Sequence, residues 1–469
     1  MDLDEIAKFE FNPRMSDVDS LMWDIEKDPL LRSTIIFVTV LDQPPDRDRF
    51  RWVMDKASRT VPRLRQRVLG HPLSIAPPRW EVDPNFDLDY HLRWMKAAGP
   101  GTLREVFAIA EPIGMQGFDR ARPLWEMTVV EGLDDGKAAL IGKVHHSITD
   151  GIGGMKLQME MLDLERDPGT HDELPPAPQP RHLSEPRRFF DAMIYEAGRQ
   201  LGNARSALAS AVSIARRAVE DPVSIATEAT RTASSIGRLM RPAAEPMSPL
   251  MRGRSLSVRY DSLQVPLRDL KAAAKVVAGR LNDAFVAAVA GGMRRYHQHH
   301  GYDIGVLRMT MPINIRGTED TYRVGNRFVP ARFPVPVDID DPIARMNAIR
   351  ELVAGQRSEP ALALTEPLAH LLNRLPATAT TAFFGSMLKG VDFITSNVPG
   401  SPVPVYVAGA RVEAQIALGP MSGAAANITL LSYVDDANIG INTDPAAIED
   451  PEVFVECLRD GFDEITKLA

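Results

Sequence analysis

The chain has 469 residues, 44% apolar and 25% charged, with 54 Lys and Arg against 62 Asp and Glu for a net charge of −8. That length predicts two domains, the acidic balance argues against a nucleic-acid partner, and the single Cys457 excludes an internal disulfide or a Cys-cluster metal site while fitting a reducing compartment. The opening MDLDEIAKFEFNP is acidic with no apolar h-region, and no stretch nears the roughly 18 apolar residues of a span, so a soluble cytoplasmic protein is expected.

Residues 1–165 read as a mixed α/β block. An apolar stripe at Val61, Leu64 and Val68 predicts a helix over 54–68. The β-branched runs STIIFVTVL (33–41), WEMTVVE (125–131) and AALIGKV (138–144) predict strands, the last running straight into His145 and His146. A Pro-rich polar stretch, 167–186, then reads as a linker or exposed loop.

The segment 166–254 reads as a linker and helical crossover. Over 187–254 eleven arginines, no lysine and six acids give +5, leaving −13 for the rest of the chain. Phe190, Ile194, Ala197, Leu201, Ala204, Leu208, Ala211, Ala215 and Ala218 recur at spacings of four and three, an apolar stripe on a helix with Arg at its flanks. Such a helix either packs on its own protein or a partner, or lies on anionic lipid.

Residues 255–469 form the second block. Asn282 precedes an apolar helix, DAFVAAVAGGMRRY. Strands are expected at 307–315, 328–336 and 393–398, and helices at 342–353 and 377–389. ITLLSYVDDANIGINTD alternates like two strands joined at Asp435-Asp436, and a helix follows from Pro451. His297, His299 and His300 sit at a helix C-terminus, where cations favour the dipole, and read as surface. No repeat of solenoid length occurs.

The chemistry concentrates at Lys143-Val144-His145-His146-Ser147-Ile148-Thr149-Asp150-Gly151. Adjacent strand histidines point to opposite faces, so one can face a cavity while the other is satisfied within the fold. That divergence argues against a shared metal ion. Asp150 can curl back to orient an imidazole or hold an Arg, and Gly151, Gly153 and Gly154 allow close backbone approach to a ligand. Histidine is the natural base near neutral pH. A base without an obvious nucleophile suggests direct attack of a bound hydroxyl, thiol or amine on an activated acyl carbon. Ser147 is a candidate nucleophile, but no G-x-S-x-G elbow surrounds it.

This motif resembles the HHxxxDG signature of acyl-CoA-dependent acyltransferases, which include chloramphenicol acetyltransferase and peptide-synthetase condensation domains. Further blocks narrow the resemblance to the bacterial wax ester synthase/diacylglycerol acyltransferase family: Met15-Ser16-Asp17-Val18-Asp19, Asp89-Tyr90-His91, Pro123-Leu124-Trp125-Glu126, Asn282-Asp283, Pro312-Ile313-Asn314-Ile315-Arg316, Gly325-Asn326-Arg327 and Ser396-Asn397-Val398-Pro399-Gly400. These blocks run in order along nearly the whole chain.

The resemblance implies an α/β, two-lobed chloramphenicol acetyltransferase-like fold with an active-site tunnel between lobes 1–165 and 255–469. It implies His146 as general base, His145 as a structural or orienting residue, and Asp150 as either a catalytic residue or a fold-holding partner of an Arg such as Arg316. Gly151, Gly154, Asn282, Arg316, Ser396 and Asn397 become candidate substrate-binding positions, with backbone amides near Gly151–Gly154 and Asn282 as candidate oxyanion donors. Trp125 and Glu126 read as packing and anchoring.

The implied activity is esterification of diacylglycerol by long-chain acyl-CoA, with a fatty alcohol as the alternative acceptor. Acyl-CoA is a co-substrate, and no metal or cofactor is implied. The implied placement is cytoplasmic, peripheral at the inner membrane or lipid inclusions, with a homodimer compatible. Rivals are a catalytically silent lipid-binding member of the same fold, which an intact His146 argues against, and an enzyme acting on carrier-protein thioesters. GAAANIT near Gly423 and DPLLRS before the first strand depart from the family's usual residues and bear on substrate choice.

Overall fold

A computed structural model of the chain describes residues 12–70, 76–148, 160–169, 173–180, 184–314 except 221, 240 and 244, 328–357 and 365–469. The first half runs α1 (Asp17–Ile25), β1 (Thr34–Leu41), α2 (Arg47–Thr60), β2 (Gln66–Leu69), β3 (Arg79–Val82), α3 (Leu88–His91), β4 (Leu92–Lys96), α4 (Leu103–Met115), β5 (Trp125–Glu131) and β6 (Ala138–His145). Two long helices follow, α5 (Glu185–Glu220) and α6 (Pro222–Leu239). The second half runs β7 (Arg259–Pro266), α7 (Leu267–Val276), α8 (Leu281–His299), β8 (Val306–Asn314), β9 (Phe328–Pro336), α9 (Pro342–Arg357), α10 (Thr365–Leu372), α11 (Ala377–Leu388), β10 (Phe393–Pro399), β11 (Tyr406–Val407), β12 (Ala410–Leu418), β13 (Ala426–Tyr433), β14 (Asp436–Thr443) and α12 (Pro451–Thr466).

The strands form two six-stranded sheets, one per lobe, in the orders β11-β12-β1-β6-β5-β4 and β7-β14-β13-β10-β8-β9. The expected strands at 125–131, 328–336 and 393–398 stand within a residue of their predicted places, because β-branched runs fill both faces of a buried sheet. The helix expected over 54–68 is displaced. It starts at Arg47, where Asp46 caps the Arg49 amide, and stops before Pro62; residues 62–65 form a tight turn and β2 follows.

The sequence division of the lobes needs one amendment. Strands β11 and β12 come from the second half of the chain but complete the first sheet, with β12 antiparallel to β1 from Ile36↔Leu418 to Leu41↔Val412. β12 also lies close over the second lobe: a Cβ on Gly440 of β14 would stand 2.0 Å from the Ala417 carbonyl oxygen, so only glycine admits the crossing strand. A second forced glycine is Gly142, opposite Phe37 in the β1–β6 ladder, where a Cβ would meet the Phe37 ring at 2.0 Å.

The second lobe's core gathers around α8, whose residues from Asp283 to Met293 are buried against β7, β8, β13, β14 and α12. His297, expected at the surface, is instead 0% exposed. It lies inside the last turn of α8, its Nδ1 hydrogen bonded to the Met293 carbonyl and its Nε2 2.7 Å from Ser248 Oγ, so burial leaves it neutral and satisfied. No single described helix is long and apolar enough to cross a membrane. The pair α7 and α8 meets the apolarity needed only together, across a 96° bend, and α8 is core.

Candidate active site

Strand β6 delivers the two histidines. The His145 amide donates to the Leu124 carbonyl at 3.0 Å and the His146 amide to the Ser33 carbonyl at 2.9 Å, so the pair is pinned between the residues that precede β5 and β1. The strand ends at His145 and the chain turns at His146.

His145 is 1% exposed and its ring is fully engaged. Its Nδ1 receives the Ser147 backbone N–H at 3.1 Å and lies 2.6 Å from Ser147 Oγ, while its Nε2 lies 2.8 Å from Glu26 Oε1. A backbone amide can only donate, so Nδ1 carries the lone pair and Nε2–H donates to Glu26. The Ser147 hydroxyl then donates to Nδ1. Trp23 and Phe118 close the sides of the ring with edge contacts. Glu26 also accepts the Ser33 amide at 2.7 Å and faces Arg120 at 3.8 Å. Burial opposes its ionisation, but the His145 and Ser33 hydrogen bonds and the Arg120 charge outweigh burial and hold the carboxyl below its ordinary range.

Glu26 therefore holds, through Ser33 and His145, both supports of the turn that carries His146. Sequence reasoning did not find it, since it closes α1 without any motif, some 120 residues from its partner. The available signal was that a buried histidine beside a candidate base needs an acceptor, and few acids near the first strand could supply one.

His146 is half-buried. Burial, reinforced by the neighbouring His145, pushes its pKa down to about 4 from the ordinary 6.5. The imidazole is thus neutral near pH 7, the protonation state a general base needs. A cleft between the lobes opens next to the start of β1, and His146 is not among the described residues that line it. Arg32 and Thr34, which flank the Ser33 that binds the His146 amide, line one side; Leu256, Tyr260, Met421 and Asn442 line the other.

The PLWE block forms the floor behind the histidines. Trp125 is 0% exposed, donates from Nε1 to the Leu64 carbonyl at 2.8 Å and stacks on His91 at 4.4 Å. His91 in turn bonds through Nδ1 to the Trp125 carbonyl at 2.6 Å, so the D-Y-H and PLWE blocks are one packed unit. Glu126 pairs with Arg93 and lies 3.6 Å from the buried Lys143, whose pKa burial pulls down.

The remaining described candidates stand in the second lobe. Asn282 lies in the first turn of α8, where the Asp283 carboxylate caps the Arg280 amide at 2.7 Å, and its side-chain amide is directed at Met311 Sδ at 3.1 Å. Ser396 is half-buried and Asn397 exposed, opposite Thr429 and Leu430 of β13. Strands β8 and β10 run parallel but pair only at Met309↔Phe393 and Thr310↔Ile394. Beyond that point Met311 and Ser396 lie where the carboxyl ends of the strands part, the place at which open α/β sheets bind ligands. Asp150, Gly151, Gly154 and Arg316, with the Gly325-Asn326-Arg327 block, lie outside the described residues. Among the described residues no group of three His, Cys, Asp or Glu side chains is placed to hold a metal ion.

Comparison with known proteins accounts for this arrangement. Residues 15–285 match the family model of the wax ester synthase/diacylglycerol acyltransferase catalytic domain, and residues 324–466 match that of the WS/DGAT C-terminal domain. A Mycobacterium tuberculosis (strain ATCC 25618 / H37Rv) protein named "Putative diacyglycerol O-acyltransferase Rv2484c" is 41% identical over 462 residues, 98% of this chain and 93% of its own length. Among solved structures, the wax ester synthase/diacylglycerol acyltransferase from Marinobacter aquaeolei VT8 superposes with a TM-score of 0.60 at 21% identity, covering 96% of this chain and 98% of that one. The first condensation domain of the calcium-dependent antibiotic synthetase also gives a TM-score of 0.60, at 14% identity, over 98% of this chain and 96% of that one. These two share the two-lobed, chloramphenicol acetyltransferase-like fold. With both domain models matched in order and a relative 41% identical along nearly its full length, the chain belongs to the wax ester synthase/diacylglycerol acyltransferase family and is an O-acyltransferase.

Proposed function

We propose that the protein esterifies diacylglycerol with a long-chain fatty acyl group from acyl-CoA, His146 acting as general base in a direct transfer. The observation that carries this reading is the His146 imidazole, neutral at physiological pH and carried on a turn that the Ser33 carbonyl holds. The choice of diacylglycerol rests on the name of the 41% identical relative.

The acceptor hydroxyl gives its proton to His146 as its oxygen attacks the thioester carbon. The tetrahedral oxyanion collapses, the C–S bond breaks, and the proton passes from the imidazolium to the leaving CoA sulfur. Burial makes an imidazolium costly at this position. It is favoured once a negative oxyanion stands beside it, so the site stabilises the transition state more than the free base. Asn282, whose amide is directed at a thioether, a weak acceptor, is the described candidate for an oxyanion donor. Glu26 and His145 act as positioning residues, holding the turn rather than touching substrate. The acceptor and product are lipids, so the enzyme works as a peripheral protein at a membrane or lipid-inclusion surface.

The test is an assay with labelled palmitoyl-CoA against a panel of acceptors. Triacylglycerol from diacylglycerol is the expected product. Ester formed only from fatty alcohols would replace the acceptor assignment, and no ester from any acceptor would overturn the reading.

A further inference from the structure

Helix α5 docks on the first lobe by its charged side and turns its apolar side outward. Arg188 pairs with Glu81 of β3 at 3.2 Å, Asp191 with Arg79 at 2.7 Å and with Arg14, and Arg199 with Asp17 of α1 at 2.5 Å. Glu196 pairs with Arg374, just beyond α10, at 3.2 Å, and both Ala192 and Glu196 are buried. At about 100° per residue, Arg188, Ala192, Glu196 and Arg199 share one arc of the helix, and Phe190, Met193, Ile194 and Leu201 lie roughly opposite.

The exposures agree: Phe190 is 62% exposed, Ile194 73% and Leu201 64%, although these are large apolar side chains that a packed helix would bury. His370 and Arg374 join the α10 region to α5, and their sequence neighbours Leu371 and Leu375 are exposed as well. The sequence leaves open whether the stripe packs on this protein or faces outward. In its described part it faces outward.

We infer that this patch is the surface by which the enzyme docks on an anionic phospholipid bilayer. This rests on the reading of its substrates as lipids. Charge selects the partner. Arg187 and Arg205 are exposed at the edge of the apolar arc. The acids between them, Asp191 and Glu196, are both turned inward into ion pairs. In the described part of α5, up to Arg205, an apolar stripe with cations along one edge and its two acids held in ion pairs matches a layer of acyl chains beneath negative headgroups. The docked side explains why the helix can hold this orientation: ion pairs with Glu81, Arg79, Arg14, Asp17 and Arg374 fix its rotation.

The test is co-flotation of the full-length protein with vesicles of about one part phosphatidylglycerol to two parts phosphatidylcholine, compared with pure phosphatidylcholine. The parent is expected to float with the anionic vesicles, and Phe190→Gln/Ile194→Gln/Leu201→Gln to bind them at least tenfold more weakly. Arg187→Glu/Arg205→Glu is expected to lose the preference for anionic over neutral vesicles. Activity of each variant on detergent-dispersed substrates is expected to equal the parent's, which shows that the fold is intact. Equal vesicle binding by parent and triple variant would overturn the inference. So would a parent that sediments as a dimer and a triple variant that sediments as a monomer, since a second copy would then be the occupant. Absence of ester in detergent from parent and variants alike would defeat the functional reading while leaving the flotation result to stand by itself.

Discussion

His146 and Glu26 divide the work of one turn. Replacing His146 with Ala is expected to lower kcat by about 10²–10⁴-fold, the usual contribution of a positioned base, with little change in stability at pH 7. Activity within a few fold of the parent would contradict the base assignment. The depressed pKa adds a second, independent readout. The unfolded chain binds a proton at His146 near pH 6.5 and the native chain only near 4, so native stability falls as pH drops through that window. The urea midpoint of His146→Gln is therefore expected to decline less than the parent's between pH 6.5 and 4.5. Glu26→Ala leaves the Nε2–H of His145 and the Ser33 amide without their acceptor, at about 1–3 kcal/mol for each unsatisfied buried donor. It should lower both the urea midpoint and kcat, and Glu26→Gln, which keeps an acceptor oxygen, should recover much of the loss.

At the scale of elements, local pattern was legible and long-range choice was not. Strands β5, β6 and β10 could be read because β-branched residues in continuous runs have few other places to go. The helix over 54–68 was misplaced because an apolar spacing continued past Pro62, which no helix interior tolerates. The stripe of α5 was readable from its period, yet the face that docks was not. That choice was made by Glu81, Arg14 and Asp17, each more than a hundred residues away in sequence. Likewise His297 looked like a solvated helix end, and only the fold supplies the Ser248 hydroxyl that satisfies it. Of the candidate site, the two histidines and the PLWE unit were visible as motifs, whereas Glu26 was not. In β6, Gly142→Ala should cost about 1–3 kcal/mol by driving a methyl group into Phe37, and Phe37→Leu should recover part of it, which a double-mutant cycle in urea would read.

The second half of the chain supplies β11 and β12 to the first lobe's sheet, so the lobes should unfold as one unit despite the two-domain size of the chain. All five tryptophans, Trp23, Trp52, Trp80, Trp94 and Trp125, lie in the first lobe, whereas helix signal comes from both. Fluorescence and far-UV circular dichroism in urea should therefore give coincident transitions, and separated transitions would mean that the lobes come apart.

The exchanged strand β12 also sets a schedule. β1 carries the apolar run TIIFVTVL, and its edge facing β12 stays unpaired until Leu418 has been made, roughly 380 residues after Ile36. At about 5–20 residues per second that is a wait of some 20–75 s on the ribosome with an open, sticky strand edge. Expression yield should then depend on what shields β1 during synthesis, and slowing translation between the crossover and β12 should send more of the chain into aggregates.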